Sequence, residues 1–278
     1  MTSILKFLLL SSIITITSLV NAEEIKVAAT EYPNAVVLEH IKPALAKQGY
    51  DLHIIRYQSY NNPFITYIRA VPDKGNPNWE LAEGNDDANF FQHDAYMNLY
   101  NKRHKTNLVS VADIFFVPVG LISAKANTNV DKSLSNLKGA SIAIPDSPIN
   151  ESRALKLLAA NKIIVLDNKK ANPEIEDVIQ NPYNVKLYRL DPTVIPTSLK
   201  NHTVDFAILN LGRAHLAHLP LQNVVITEHY NQEYANTLVT RSDEINQAKI
   251  KALKAALQSA DTKQFIKQNL NGIAVPAF

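Results

Sequence analysis

Asp87-Ala88-Asn89-Phe90-Phe91-Gln92-His93-Asp94-Ala95-Tyr96 is the stretch around which the rest of the chain is organised. Its apolar run, bounded by polar residues, reads as the end of a buried strand, and the amphipathic segment from about His93 to Arg103 reads as the helix that follows. In α/β sheets such a junction borders the crevice where ligands bind, because a strand's carboxyl end meets a helix N-terminus there. His93 and Tyr96, spaced i and i+3, fall on one helical face. Two readings stay open at this point: a partly buried structural histidine beside a core tyrosine, or two walls of a site.

Outward from this junction the same alternation recurs. Upstream, Ile25 to Thr30 reads as a strand, Pro33 opens a helical pattern through Val36, Val37, His40, Ile41 and Leu45, Gly49 ends it, and Leu52 to Arg56 is the next strand. Tyr60-Asn61-Asn62-Pro63 resembles a turn into a helix. Strand and helix in alternation build a mostly parallel sheet with helices on its faces. Pro72, Gly75, Pro77 and Gly84 break the pattern, so Val71 to Glu83 reads as a surface loop or short hairpin, with a ligand-capping lid as the alternative.

Downstream, Ile114 to Ser123 is an extended run long enough to leave one domain and enter another. A second α/β series follows: a strand at Ser141–Pro145, a helix near Pro148 to Ala160, a strand at Val185 to Leu190, a helix near Val194 to Lys200 and a strand at Asp205 to Asn210. Val224–Ile226 and Asn236–Arg241 bring the chain back, and helical patterns from Glu244 to Gln258 and Asp261 to Asn269 close it. The expectation is an α/β protein of two lobes, 23–118 plus 230–278 and 119–229, with a site in the cleft between them.

Residues 1–22 stand apart: Lys6 leads into Phe7-Leu8-Leu9-Leu10 and an apolar stretch ending Val20-Asn21-Ala22. This has the form of a secretory signal peptide cleaved near Ala22, and it is shorter than the ~20 apolar residues of a membrane-spanning helix. The mature protein is therefore expected in the periplasm. The sequence contains no cysteine, which excludes disulfides, thiolate metal sites, cysteine nucleophiles and a lipidated N-terminal cysteine. A net charge of +2, with no basic block, argues against nucleic acid. Only 7 glycines occur, with no GxGxxG or GxxxxGK[ST], so no nucleotide cofactor is expected.

The residues suited to chemistry sit at strand and helix ends. Asp146 or Ser147 suits an N-cap and Pro148 a first helical turn, which places Arg153 beside the buried Leu157 stripe. An arginine there requires an anion, and its planar fork matches a carboxylate in two parallel bonds. That carboxylate belongs either to a ligand or to an acidic residue on a neighbouring element. Asn210 ends one strand and Asn236 begins another, each able to reach a cleft or to cap a turn. An amide both accepts from an ammonium and donates to a carboxylate, so two beside an arginine suit the polar end of an α-amino acid. His215 and His218 share a helical face, but no HExxH or carboxylate-rich cluster accompanies them, and no metal is expected. No G-x-S-x-G elbow is present, and nothing pairs His93 with a nucleophile.

Several blocks, namely Asp87–His93, Ile142–Asp146, Asn150-Glu151-Ser152-Arg153-Ala154-Leu155, Tyr234-Ala235-Asn236 and Val275-Pro276-Ala277-Phe278, occur in order from about Ile25 to the C-terminus. Together they resemble the methionine-binding proteins of ABC importers, the MetQ/NlpA family. The resemblance implies a two-lobed periplasmic-binding-protein fold of type II-like form that closes on free methionine, L or D. It would deliver the amino acid, as a monomer, to a membrane permease and its ATPase. It implies that Arg153 holds the ligand carboxylate, that Asn210 and Asn236 bind its amino and carboxylate groups, and that Tyr60, Phe91, His93 and Tyr96 line the side-chain pocket. Three features depart from the family pattern: the missing lipoprotein cysteine, a longer segment between Pro63 and Asp86, and Arg213 where a tyrosine is usual. The first implies a freely diffusing form; the other two bear on ligand choice. A dipeptide or another apolar amino acid as ligand, an enzyme on this scaffold using His93, and a surface protein with an empty cleft are the rival readings.

Overall fold

Val27, Ala28 and Ala29 are all fully buried, so the first strand is apolar on both faces, as in a parallel sheet covered by helices. In the computed structural model, which describes residues 22–57, 75–125, 134–167 and 169–278, this strand is β1 (Glu23–Thr30). It pairs in parallel with β2 (Tyr50–Tyr57) and with β3 (Ala88–His93). The crossover from β1 to β2 is α1 (Val36–Ala46), whose buried Val37, Leu38, Ile41 and Leu45 form one apolar stripe. Beyond β3, β12 (Ala235–Arg241) runs antiparallel between β3 and β4 (Leu108–Phe116). The short β13 (Val275–Pro276) completes a six-stranded sheet of order β13-β4-β12-β3-β1-β2.

The long extended run predicted over Ile114–Ser123 is two strands in two sheets. Pro118, which has no N–H for a ladder, separates β4 from β5 (Val119–Ser123). β5 joins β6 (Ser141–Pro145), β9 (Lys186–Leu190), β10 (Phe206–Asn210) and β11 (Val224–Thr227) in a five-stranded sheet of order β11-β5-β10-β6-β9. Here β6 runs parallel to both β9 and β10, and β5 runs antiparallel to β10 and β11. Helix α4 (Pro148–Ala160) follows β6, α5 (Ile195–Lys200) precedes β10, and α6 (Leu211–Leu216) follows it. A separate antiparallel pair, β7 (Val165–Leu166) with β8 (Val178–Gln180), was not visible as sequence pattern. The chain returns to the first sheet through 228–234 and ends in α7 (Ala248–Leu257) and α8 (Ala260–Asn269), which pack on α1.

The expected loop or hairpin over Val71–Glu83 is corrected for the described residues. Pro77–Ala82 form a helix, α2, and residues 71–74 lie outside the described ones. The residues read as breakers are its start signals: the Asn76 side chain caps Asn78 N–H at 2.8 Å and Pro77 occupies the first turn. Nor is α2 a surface feature, since Leu81 and Asn78 are both 0% exposed.

Candidate functional site

A cavity of about 150 Å³ lies between the two sheets. Thr30 of β1, Phe91 to His93 of β3, Pro145 of β6 and Asn210 of β10 all face it. These are the carboxyl ends of parallel strands, where the loops and helix N-termini of an α/β sheet leave room for a ligand.

His93 ends β3 and is the N-cap of α3 (Asp94–His104), rather than a residue of its face as its spacing predicted. Its Nδ1 accepts from Tyr96 N–H at 3.2 Å, so the proton of the neutral ring sits on Nε2. Burial, reinforced by the nearby Arg153 charge, pulls its pKa down to about 3. The ring is therefore a neutral hydrogen-bond donor at physiological pH. It meets Tyr234 edge-on at 5.4 Å, while Tyr96 meets Phe91 edge-on at 5.9 Å. The structural and the site-lining readings of His93 describe one side chain, because one ring nitrogen caps the helix while the residue lines the cavity.

Asn210 caps α6, its Oδ1 accepting from Gly212 N–H at 3.0 Å and Arg213 N–H at 3.3 Å. Asn236, near the start of β12, accepts at Oδ1 from Asn34 Nδ2 at 3.1 Å, and Asn34 Oδ1 accepts from the Thr30 hydroxyl at 2.7 Å. Each amide oxygen is thus oriented by the protein, which leaves the Nδ2 groups of Asn210 and Asn236 as donors at the cavity wall. Asn236 Oδ1 keeps a second lone pair.

Arg153 is 3% exposed on α4 and also lines the cavity. Its two-bond fork goes to Glu228: Nε donates to Oε1 at 3.2 Å and Nη2 to Oε2 at 2.6 Å. Nη2 also donates to Val117 O at 3.2 Å, and the guanidinium packs over the Tyr234 ring at 4.5 Å. Of the two carboxylates open to it in the sequence, the neighbouring acidic residue is the one that the structure pairs with it. Nη1 makes no hydrogen bond among the described residues and is the nitrogen left for a cavity occupant.

Phe91, His93, Tyr96, Arg153, Asn210 and Asn236 therefore meet around one cavity; Tyr60 lies outside the described residues. Arg213 also lines the cavity, and no carboxylate does among the described residues. No cluster of three metal-ligating His, Asp or Glu occurs among them either, and His215 instead stacks on Tyr32 at 4.9 Å. Sequence reasoning missed Asn34, Tyr234 and Glu228 as individual participants. Asn34 carried a usable signal, a polar residue just past a strand end, as Asn210 did. Tyr234 lay inside a block already singled out, and Glu228 had no local signal.

The sequence profile of the NlpA lipoprotein family matches residues 25–278. The chain is 31% identical over 237 residues to the D-methionine-binding lipoprotein MetQ of Escherichia coli O157:H7, covering 84% of this chain and 80% of that protein. It is 30% identical over 260 residues to the methionine-binding lipoprotein MetQ of Bacillus subtilis (strain 168), covering 91% and 88%. Its fold is similar to that of a nutrient-binding protein from Burkholderia cenocepacia bound to methionine, with a TM-score of 0.76, 31% identity, and coverage of 91% of this chain and 100% of that one. By its sequence over nearly its whole length and by its fold, the chain belongs to the NlpA lipoprotein family.

Proposed function

We propose that this protein is the substrate-binding component of an ABC importer, that it captures methionine outside the cytoplasm, and that it is not an enzyme. One observation carries the reading: oriented N–H donors of His93, Asn210, Asn236 and Arg153 converge on one cavity with the rings of Phe91 and Tyr96. Asn210 Nδ2 and Arg153 Nη1 take the ligand carboxylate, and the free lone pair of Asn236 Oδ1 takes its ammonium. Phe91, His93 and Tyr96 enclose the thioether, a favourable contact for polarizable sulfur against aromatic rings.

Residues 23–118 plus 230–278 and residues 119–229 act as two lobes joined at 117–119 and 228–234. Methionine, bound to side chains of both, favours the closed form, which a permease and its ATPase then recognise. The protein works as a monomer in the periplasm, after removal of a signal peptide near Ala22.

Arg213 on the wall favours a second reading, a dipeptide whose peptide carbonyl accepts from that guanidinium. Native mass spectrometry of protein purified without added ligand separates the two. The expected result is an added mass equal to one methionine; a dipeptide mass would establish the second reading. No thermal shift with any amino acid or dipeptide would remove both.

A further inference from the structure

The Arg153–Glu228 pair joins both passages between the sheets. Glu228 follows β11 directly; its N–H donates to Val119 O at 2.9 Å, and its Oε2 accepts from Val119 N–H at 3.2 Å as well as from Arg153 Nη2. Arg153 reaches across to Val117 O on the other side of Pro118. The Glu228 carboxylate thus has three donors, and its own backbone is tied to the residue that supplies one of them. A carboxylate so anchored is held fixed against Arg153, behind the cavity wall.

We propose that Glu228 is the resident counter-ion of the ligand-carboxylate site and sets that site's affinity. It occupies the two-bond face of Arg153, balances the buried charge, and leaves the ligand only Nη1. The inference rests on reading the cavity as an amino-acid site. An incoming carboxylate then meets a guanidinium already neutralised, with a second negative charge behind it. If the Glu228 charge is removed and its shape kept, Arg153 becomes a buried cation without a counter-ion, a costly state that an anionic ligand relieves. Linkage makes the effect reciprocal: what destabilises the ligand-free protein through Arg153 strengthens its hold on a carboxylate.

The test compares wild type with Glu228→Gln by titration calorimetry and thermal unfolding, using methionine and methioninamide, which lacks the carboxylate. Expected are a lower ligand-free Tm, methionine binding about tenfold tighter, and methioninamide binding no tighter, in line with couplings between close charges across a binding site. A residue with only a structural role would lower Tm and leave the preference for carboxylate over amide where it was. Unchanged or weaker methionine binding in Glu228→Gln overturns the proposal. If that variant does not fold, Glu228→Asp draws the charge back from the guanidinium and is expected to bind methionine about twofold tighter; weaker or unchanged binding there overturns it equally. Wild-type protein that binds no methionine would remove the amino-acid reading and this inference together. Wild-type binding without the variant effect removes only this inference.

Discussion

Asn34 and Asn236, 202 positions apart in sequence, are joined by a 3.1 Å hydrogen bond from Asn34 Nδ2 to Asn236 Oδ1. Asn34 is 2% exposed and is itself fixed through Thr30, so the bond decides which end of the Asn236 amide faces the cavity. Asn34→Ala should remove that decision. It leaves the Thr30 hydroxyl and Asn236 oxygen short of a partner, at a cost of about 1–3 kcal/mol of stability. Methionine affinity should fall as well, because the Asn236 amide can then rotate. Chemical denaturation together with calorimetry checks both; lost stability with unchanged affinity would show that Asn236 is oriented by something else.

His93 makes stability depend on pH in a definite direction. Its folded-state pKa is depressed to about 3, against an ordinary value of 6.5. Between those values the unfolded chain takes up a proton that the folded ring refuses. The stability contributed by neutral His93 is therefore present above about pH 6.5 and is lost as the pH falls toward 3, at up to about 1.4 kcal/mol per pH unit. His93→Asn keeps an acceptor for the α3 N-terminus and removes this dependence. Urea unfolding at pH 7 and pH 5 should show wild type losing about 2 kcal/mol more than the variant over that interval. Equal losses would mean that the ring accepts its proton while folded.

The parallel α/β alternation was legible because buried strands and amphipathic helices leave different periods in sequence. Ser141–Pro145 and Pro148–Ala160 were readable almost to the residue, since the apolar run Ile142–Pro145 leads into Ser147-Pro148 at a helix start. Asn210 could be picked out because it ends such a strand. The Arg153–Glu228 pair could not, because its partners are 75 residues apart and neither position has a local pattern that names the other. The direction of each cavity amide was equally hidden, being set by Gly212 and Arg213 N–H for one and by Asn34 for the other. Helix α2 was misread for a different reason: Asn76 and Pro77 serve both turns and helix starts, and only tertiary burial of Asn78 and Leu81 separates the two uses.

That helix supports the site from behind. Asn78, at 0% exposure, accepts at Oδ1 from Asn89 Nδ2 at 2.8 Å and donates from Nδ2 to Gln92 Oε1 at 2.9 Å. Asn89 and Gln92 lie on β3 and are buried, with Gln92 immediately before His93. Asn78→Leu fills the space with an apolar group and takes the donor from buried Gln92 Oε1 and one acceptor from Asn89 Nδ2. These two amides keep only the Gln92 Nε2 to Asn89 Oδ1 bond at 2.9 Å and the Asn89 Nδ2 to Pro77 O bond at 3.2 Å, so a loss of about 2–4 kcal/mol is expected. Replacing all three amides together, with Asn89→Leu and Gln92→Met added, should recover part of it, because no buried polar group is then stranded. Thermal unfolding of the single and triple variants checks this, and additive losses would show that the three amides act independently.

Arg153 combines two roles that substitution can separate. Arg153→Ala removes the cavity donor Nη1 and also strands the Glu228 carboxylate, whose side chain is only 14% exposed. The single variant should therefore lose methionine binding and about 3 kcal/mol of stability, the cost of breaking one side of a largely buried pair. Glu228→Ala added to Arg153→Ala removes the stranded charge, and Val119 N–H, which donates to Glu228 Oε2 at 3.2 Å, loses only one acceptor. The double variant should regain at least half of the lost stability while still failing to bind methionine, since no guanidinium remains to hold the carboxylate. Differential scanning calorimetry with and without methionine reads both quantities on the same sample. Stability that stays as low as in the single variant would show that Arg153 acts through its packing on Tyr234 and Phe116 rather than through charge. Binding that returns with stability would remove Arg153 from the ligand's carboxylate and leave Asn210 as its principal donor.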